Sequence, residues 1–365
     1  MQEDFHYYAT YCAAYISGFD HEESLDIAYS AQFVDLCTKA LLNKLGAPLL
    51  AATTQSQLEL ANARTDIIGL QDITRIWASF HFLPRDLYAQ KQHRTKRYMR
   101  KYRLICGPNG DLLVDTIKLA KNKSLQAIGI SMHVLADTWA HMYFAGTPSL
   151  VINNTDYDFY EFVKEGEDYT KVQVKFRHSA SAPDDLEKHI YTNSILQNNE
   201  NSIMNLGHGR AGHFPDYSFA KYCYLPAWDD YKEMIKDNPN DYFKAFTQMV
   251  YGLKFLRGEY ETFEKNTYDL ISVSSYEQRI REILEKRQLN ACNDWKAFGE
   301  ELSGETIEDF DVNKYHEEYL NAPANEKDNT SIGKFVKAAI DQKCMVSNKI
   351  FESGNGLAGF SKVGK

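Results

Sequence analysis

No run of apolar residues in this 365-residue chain is long enough to cross a membrane, which excludes a helical integral membrane protein. Positive charge is in deficit. There are 41 Lys and Arg against 50 Asp and Glu, a net charge of −9, so a general nucleic-acid binder is disfavoured and no strong nucleic-acid patch is expected. The six cysteines (Cys12, Cys37, Cys106, Cys223, Cys292, Cys344) never form a Cys-x-x-Cys, which points to reduced, mostly buried thiols. There is no Gly-x-Ser-x-Gly, hence no nucleophile elbow of the serine hydrolases. No Gly-Lys-Ser/Thr follows the Gly107-Pro108-Asn109-Gly110 turn, hence no phosphate loop. The start, Met-Gln-Glu-Asp-Phe-His, lacks a basic region followed by an apolar core, so a cytoplasmic location is expected unless export takes a signal-less route. No internal repeat is detectable.

The most informative stretch is Ser124 to Gly146, which reads as one helix. Ser124 is a suitable N-cap, and Gly146 with Pro148 is a stop signal. Its interior is apolar almost all round, so burial is expected. Yet it carries His133, Asp137 and His141 at i, i+4 and i+8. At about 100° per residue these lie within a sector of roughly 80° and leave one face. Two imidazoles and a carboxylate on a buried face need partners, and a metal ion satisfies all three. A purely structural Asp–His network is the other reading.

Further candidates lie on either side. A short helix over residues 4–18 has an aromatic-rich face and opens with Asp4 and His6. Asp20-His21-Glu22-Glu23 resembles a capping box. The helix it opens is expected to run past Asp35 and Leu36 to Leu41, with Asp35 in a core-like setting. Ala47-Pro48 breaks the chain, a polar helix follows at about 54–63, and another runs from Asp66 to Ser79 with an Asp72–Arg75 pair. His81 sits where that helix gives way to Phe82-Leu83-Pro84. Residues 89–103 are strongly basic, read as a solvated helix face or a face for phosphate or anionic lipid. A second cluster, Gly207-His208-Gly209-Arg210-Ala211-Gly212-His213-Phe214-Pro215-Asp216, is a tight loop. His208 and His213 are candidate ligands there, with Arg210 and Asp216 as candidate substrate-binding groups.

The expected fold is mainly α. Residues 1–230 would form a metal-binding helical core with a loop-rich or β insertion near 149–188, including an edge strand at 171–176. A helix is expected from about His189 to Met204; His178 and His189 carry no partner signal. Residues 231–353 would be helices packed on the core, at 242–256, 275–286, 294–302 and 332–346, and 354–365 a mobile tail.

Imidazole and carboxylate without thiolate suit Zn²⁺, Mn²⁺ or Fe²⁺. The order of an N-terminal His6, then Asp35, then His81, then a helix bearing His133-x-x-x-Asp137 resembles the zinc-dependent phospholipase C and single-strand (P1-type) nuclease superfamily. That resemblance implies an all-helical phosphodiesterase with two or three zinc ions. It places Asp35, His81, His133 and Asp137 around one ion, and His6 with Asp137 at a second. His141 would serve a further ion with a histidine of the 208–213 loop, and Asp4 would replace the N-terminal amino ligand of those enzymes. Asp35, Asp137 and His141 are then the catalytic candidates. The Phe5-His6-Tyr7-Tyr8 start, the Ala31-Gln32-Phe33-Val34-Asp35 segment, the helix His133–His141 and the glycine-histidine loop are also similar to a bacterial protein family of unknown function, over roughly the first 230 residues. The function implied is a metal-dependent hydrolase, a phosphodiesterase acting on a phospholipid or nucleotide through activated water. A di-iron oxygenase is weaker, since paired Glu-x-x-His motifs are absent. The non-catalytic alternative is a helical interaction protein with a structural polar or metal site.

Overall fold

The computed structural model describes the chain except residues 64–65, 148, 156–157, 167, 178–182, 194–206 and 358–365. It is mainly α. The helices are α1 (Asp4–Ala9, π-helical, continuing as Thr10–Ile16), α2 (His21–Phe33), α3 (Lys39–Leu45), α4 (Gln57–Asn62), α5 (Ile67–Ile76, continuing as a π-helical Trp77–His81), α6 (Lys96–Tyr102), α7 (Asp111–Ala120) and α8 (Leu125–Ala140). They continue with α9 (Leu150–Asn153), α10 (His208–Ala211), α11 (Asn238–Arg257), α12 (Leu270–Val273), α13 (Glu277–Glu285), α14 (Cys292–Ser303), α15 (His316–Asn321) and α16 (Ser331–Glu352). No helix of the described residues is long and apolar enough to cross a membrane. All six cysteines are free, and Cys12, Cys37, Cys106 and Cys223 are buried.

α8 is the axis of the fold. Every residue from Gln126 to Ala140 is buried, and α2, α7, α11 and α16 pack around it. Ser124 caps its first turn as expected. The helix ends at Ala140 rather than near Gly146, because His141 turns to bond the His81 carbonyl and Tyr143 takes a left-handed backbone conformation (φ 82°). The approach of α2 is close enough to need a glycine: a Cβ on Gly129 would lie 2.4 Å from the Ile27 carbonyl oxygen and 2.6 Å from Ser30 Cβ. α1 is fastened from the other side, with Phe5 edge-on to Tyr242 of α11 and to Trp295 of α14 at 4.9 and 6.1 Å. One apolar cluster therefore holds residues from Met1 to Leu357.

The capping box at Asp20 forms, with Glu23 N–H donating to Asp20 Oδ1 at 2.9 Å. The helix it opens stops at Phe33 instead of reaching Leu41. Thr38 caps a new helix through its hydroxyl, and the intervening turn carries Asp35 out of the helix. Asp72 pairs with Lys39 at 2.5 Å, not with Arg75, because α3 brings a free ammonium across.

Four strands, β1 (Tyr160–Glu165), β2 (Asp168–Gln173), β5 (Lys221–Tyr224) and β6 (Met234–Asp237), form an antiparallel sheet in the order β2-β1-β5-β6, with β2 at its edge. β3 (Lys175–Arg177) and β4 (Ile190–Thr192) form a small parallel pair. Residues 190–192, expected to open a helix, are thus a strand; residues 194–204 of that expected helix, His178 and the end of the tail lie outside the described residues. The sheet reaches beyond 149–188, and the expected boundary at 230 falls between the paired strands β5 and β6.

The Gly129 contact yields a stability test. Gly129→Ala should destabilise the fold by roughly 1–3 kcal/mol, the usual cost of overpacking a close helix crossing. Urea titration should show a lower midpoint with an unchanged slope; an unchanged midpoint would mean that α2 can withdraw without loss.

Candidate metal centre

α8 projects His133, Asp137 and His141 from one face, as their spacing requires. The same space receives His6 from the π-helical start of α1, Asp35 from the turn after α2, and His81 from the π-helical end of α5. A π-helical turn rotates the side chains that follow it relative to an α-helix, and both such segments here deliver a histidine. Three sets of ligand atoms each lie within 4.8 Å of one another and could hold a metal ion: His6, His133 and Asp137; Asp35, His81 and His133; His141, His208 and Asp216.

The histidine tautomers are set from behind. His133 Nδ1 faces the Ala31 carbonyl at 2.9 Å, His81 Nε2 faces the Thr53 carbonyl at 2.9 Å, and His141 Nδ1 faces the His81 carbonyl at 2.6 Å. A carbonyl only accepts, so these nitrogens carry the protons, and the opposite nitrogen of each neutral ring presents a lone pair. Those lone pairs converge. His133 Nε2 and His81 Nδ1 are 3.3 Å apart, and each is 3.2 Å from Asp137 Oδ2. Asp35 Oδ1 stands 3.8 and 4.0 Å from the same two nitrogens. His141 Nε2 and His208 Nε2 face Asp216 Oδ1 at 3.1 and 3.3 Å. His6 is fully buried, stacked on His133 at 3.9 Å between centroids, and neither of its ring nitrogens makes a hydrogen bond, although Nε2 lies 3.2 Å from Asp137 Oδ1.

Acceptors facing acceptors at this range are repulsive unless a cation lies between them. Ligand atoms about 2.0–2.1 Å from a tetrahedral ion stand roughly 3.3 Å apart, which is the spacing of His81, His133 and Asp137. The orphaned His6 nitrogens and the donor chemistry therefore fit a divalent metal.

Protonation states agree with that fit at His6, His141, Asp137 and Asp216 and oppose it at His81, whose ring nitrogen toward Asp137 holds a proton that an ion would have to displace. Burial, reinforced by neighbouring His133, depresses His6 to about 4, and burial also lowers His141, so both are neutral near pH 7. Burial would raise Asp137, but His141, the Met1 amino group, His133 and His6 together hold it well below the usual carboxylate range. Asp216 is held down in the same way by the amino group and His208 against burial. His81 is raised: burial lowers it, but the bond and charge of Asp137 and the charge of Asp35 prevail.

Several expected assignments change. Asp4 lies outside the ligand sets; its carboxylate accepts from the N–H groups of Phe5 and Ala291 at 2.8 and 3.1 Å, tying α1 to the start of α14. The nitrogen inside the centre is instead the Met1 amino group, 2.9 Å from Asp137 Oδ1, 3.1 Å from Asp216 Oδ1 and 3.5 Å from His141 Nε2. Burial lowers its proton affinity, but Asp137, Asp216 and Asp35 outweigh this and raise it to about 11. Asp216, expected to bind substrate, completes a ligand set. Arg210, expected to bind substrate, is buried, and its Nη1 donates to Asn154 Oδ1 and the Thr155 carbonyl at 3.1 and 2.8 Å, so it braces the loop. His213 is half exposed at the rim, 3.9 Å from Asp216.

Metal binding must displace the proton that Asp137 and Asp35 hold on His81. Affinity for Zn²⁺, read by competition with a chromophoric chelator, should therefore rise with pH through a His81 titration above the free-imidazole value of about 6.5 and level off beyond it. An affinity independent of pH across that range would remove His81 from the ligand set.

No curated protein and no solved structure matches the chain. One family model does, over residues 1–350, and so takes in the C-terminal helices as well as the region of the histidines. The chain belongs to that family, DUF6765, described as a family of unknown function.

Proposed function

We propose that the chain is a metal-dependent hydrolase of phosphoesters, a phosphodiesterase holding two or three divalent ions, with Zn²⁺ as the best match and Mn²⁺ or Fe²⁺ as alternatives. The observation that carries this reading is the convergence of tautomer-locked imidazole lone pairs on Asp35, Asp137 and Asp216. His and carboxylate ligands in adjoining sets are the donor pattern of multi-metal hydrolytic centres, as the resemblance to the zinc-dependent phospholipases and P1-type nucleases also implies. Ions bound there would lower the pKa of water and neutralise charge on a phosphoryl oxygen.

The residues divide the work by exposure. Asp137 and His133 are buried and fully engaged, so they hold position. Asp35 is the most open carboxylate, with 29% of its side chain exposed against 1% for Asp137 and 11% for Asp216. It is the group placed to meet an entering water and accept its proton. His141 is tied at both ring nitrogens and acts as a ligand, not as a proton donor.

The test uses metal-loaded and chelated protein on three substrates: phosphatidylcholine, a single-stranded oligonucleotide and bis(p-nitrophenyl) phosphate. At least one should be hydrolysed, with turnover lost on chelation and restored by Zn²⁺. Asp35→Asn, at a half-open position, should keep its circular dichroism and lose about 10²–10⁴-fold in rate. Metal uptake that raises thermal stability without turnover on any of the three would replace the enzyme by a structural metal site.

A further inference from the structure

Lys236, Asn238 and Tyr242 follow one another along the end of β6 and the start of α11, and all three side chains are buried although none belongs to a ligand set. Burying an ammonium and an amide is costly unless each finds partners, so what they bond to shows what they do. Lys236 Nζ donates to the Trp139 carbonyl at 2.9 Å and to Asp241 Oδ2 at 2.7 Å. Trp139 lies in the last turn of α8, two residues before His141. An uninterrupted helix would pair that carbonyl with the Tyr143 N–H, which here donates to the Cys106 carbonyl at 3.0 Å. The ammonium therefore takes the place that the helix vacates where α8 stops. Asn238 and Tyr242 hold the opposite partner. Asn238 Nδ2 donates to the Phe214 and Tyr217 carbonyls at 2.8 Å each and lies 3.4 Å from the Pro215 carbonyl. Tyr242 Oη donates to the Pro215 carbonyl at 3.0 Å. These carbonyls flank Asp216 on both sides, and Asp216 Oδ1 meets His141 Nε2 at 3.1 Å. The carbonyls that orient His133 and His81 belong instead to Ala31 and Thr53.

We propose that Lys236, Asn238 and Tyr242 are positioning residues for the outer ligand set, His141, His208 and Asp216, and that the ion bound there is held by a bracket separate from the one that builds the inner sets. Lys236 fixes where α8 delivers His141. The amide of Asn238 and the hydroxyl of Tyr242 fix the turn that delivers Asp216. The short chain between them fixes the distance between two ligands that lie 75 residues apart in sequence. The groups that orient a ligand govern affinity nearly as strongly as the ligand itself. The inference rests on reading the centre as a multi-ion site, and not on its hydrolysing a phosphoester.

Zn²⁺ titration of the full chain against a chromophoric chelator, with bound metal counted by elemental analysis, reads each equivalent without any turnover. Asp216→Asn removes an outer ligand and marks the equivalent that belongs to this set. Asn238→Ala should weaken that same equivalent by about 10–100-fold and leave the others unchanged. Lys236→Met with Asp241→Asn, exchanged together so that no buried charge is left unpaired, should do the same. Tyr242→Phe keeps the ring against Phe5 and removes only the hydroxyl. It should weaken the same equivalent by a smaller factor, and it decides the matter if the other variants fail to fold. The proposal is overturned if folded variants bind every equivalent as the wild type does, or if all equivalents weaken together, which would make the segment part of the general scaffold. A wild-type chain that takes up no metal would instead remove the multi-ion reading, and the proposal with it.

Discussion

A single buried carboxylate sets the terms for the rest of the molecule. Asp137 is almost wholly inside the protein and ionised, and a buried charge left without partners costs about 3–5 kcal/mol. Its partners arrive from places distant in sequence: the start of α1, the end of α5 and its own helix. For those groups to meet, α2 must lie against α8 at the distance Gly129 allows, because Ala31 on α2 supplies the carbonyl that orients His133. Thr53 is bound in the same way. Its carbonyl orients His81, and its hydroxyl donates to the Val34 carbonyl at 2.6 Å, next to Asp35. The scaffold and the centre are therefore one construction; moving a core helix moves a ligand.

What the sequence disclosed follows local rules. The i, i+4, i+8 spacing at the end of α8, the capping box at Asp20 and the apolar periodicity of α11, α14 and α16 depend on residues within a few turns of each other, and each is found, although α8 stops at Ala140, α11 begins at Asn238 and α16 runs on to Glu352, beyond the expected bounds. What it concealed depends on contacts across the chain. Asp35 reads as a helical core residue because nothing nearby announces the turn; α2 stops at Phe33 and Thr38 opens α3 with its hydroxyl, while a continued helix is locally just as acceptable. The π-helical turns at His6 and His81 have no sequence signature, since the wider turn is stabilised only by what the displaced histidine meets. Asp4 and Asp216 exchanged expected importance for the same reason. Both are acidic residues in plausible neighbourhoods, and only tertiary packing turns one toward Ala291 and the other toward His141.

The segments that read as least regular serve the outer part of the site, where His208 is 23% exposed. The sheet joins residues 160–173 to 221–237, so that the chain between them returns to α8 with the His208 loop. Arg210 and Asn153 hold that loop from beneath through backbone groups, and Gly207 and Gly212 adopt positive φ angles of 57° and 62° that a side chain would resist. A glycine-rich loop braced by a buried arginine places a histidine precisely without the helical scaffold that positions the inner ligands.

Exposure then grades the ligand groups. His6 and His133 are fully buried and Asp137 nearly so; Asp216 is 11% exposed, His208 23% and Asp35 29%. Desolvation strengthens every charge interaction inside and slows the entry of water, so the inner set is suited to holding a cation and the outer groups to exchanging one, or to receiving a reactant. A centre built only to stabilise the fold gains nothing from open ligands, since solvent at Asp35 and His208 weakens the attraction that would do the stabilising. The grading therefore favours a site that meets something from outside. Asp35 and His208 are the most open members of the three ligand sets.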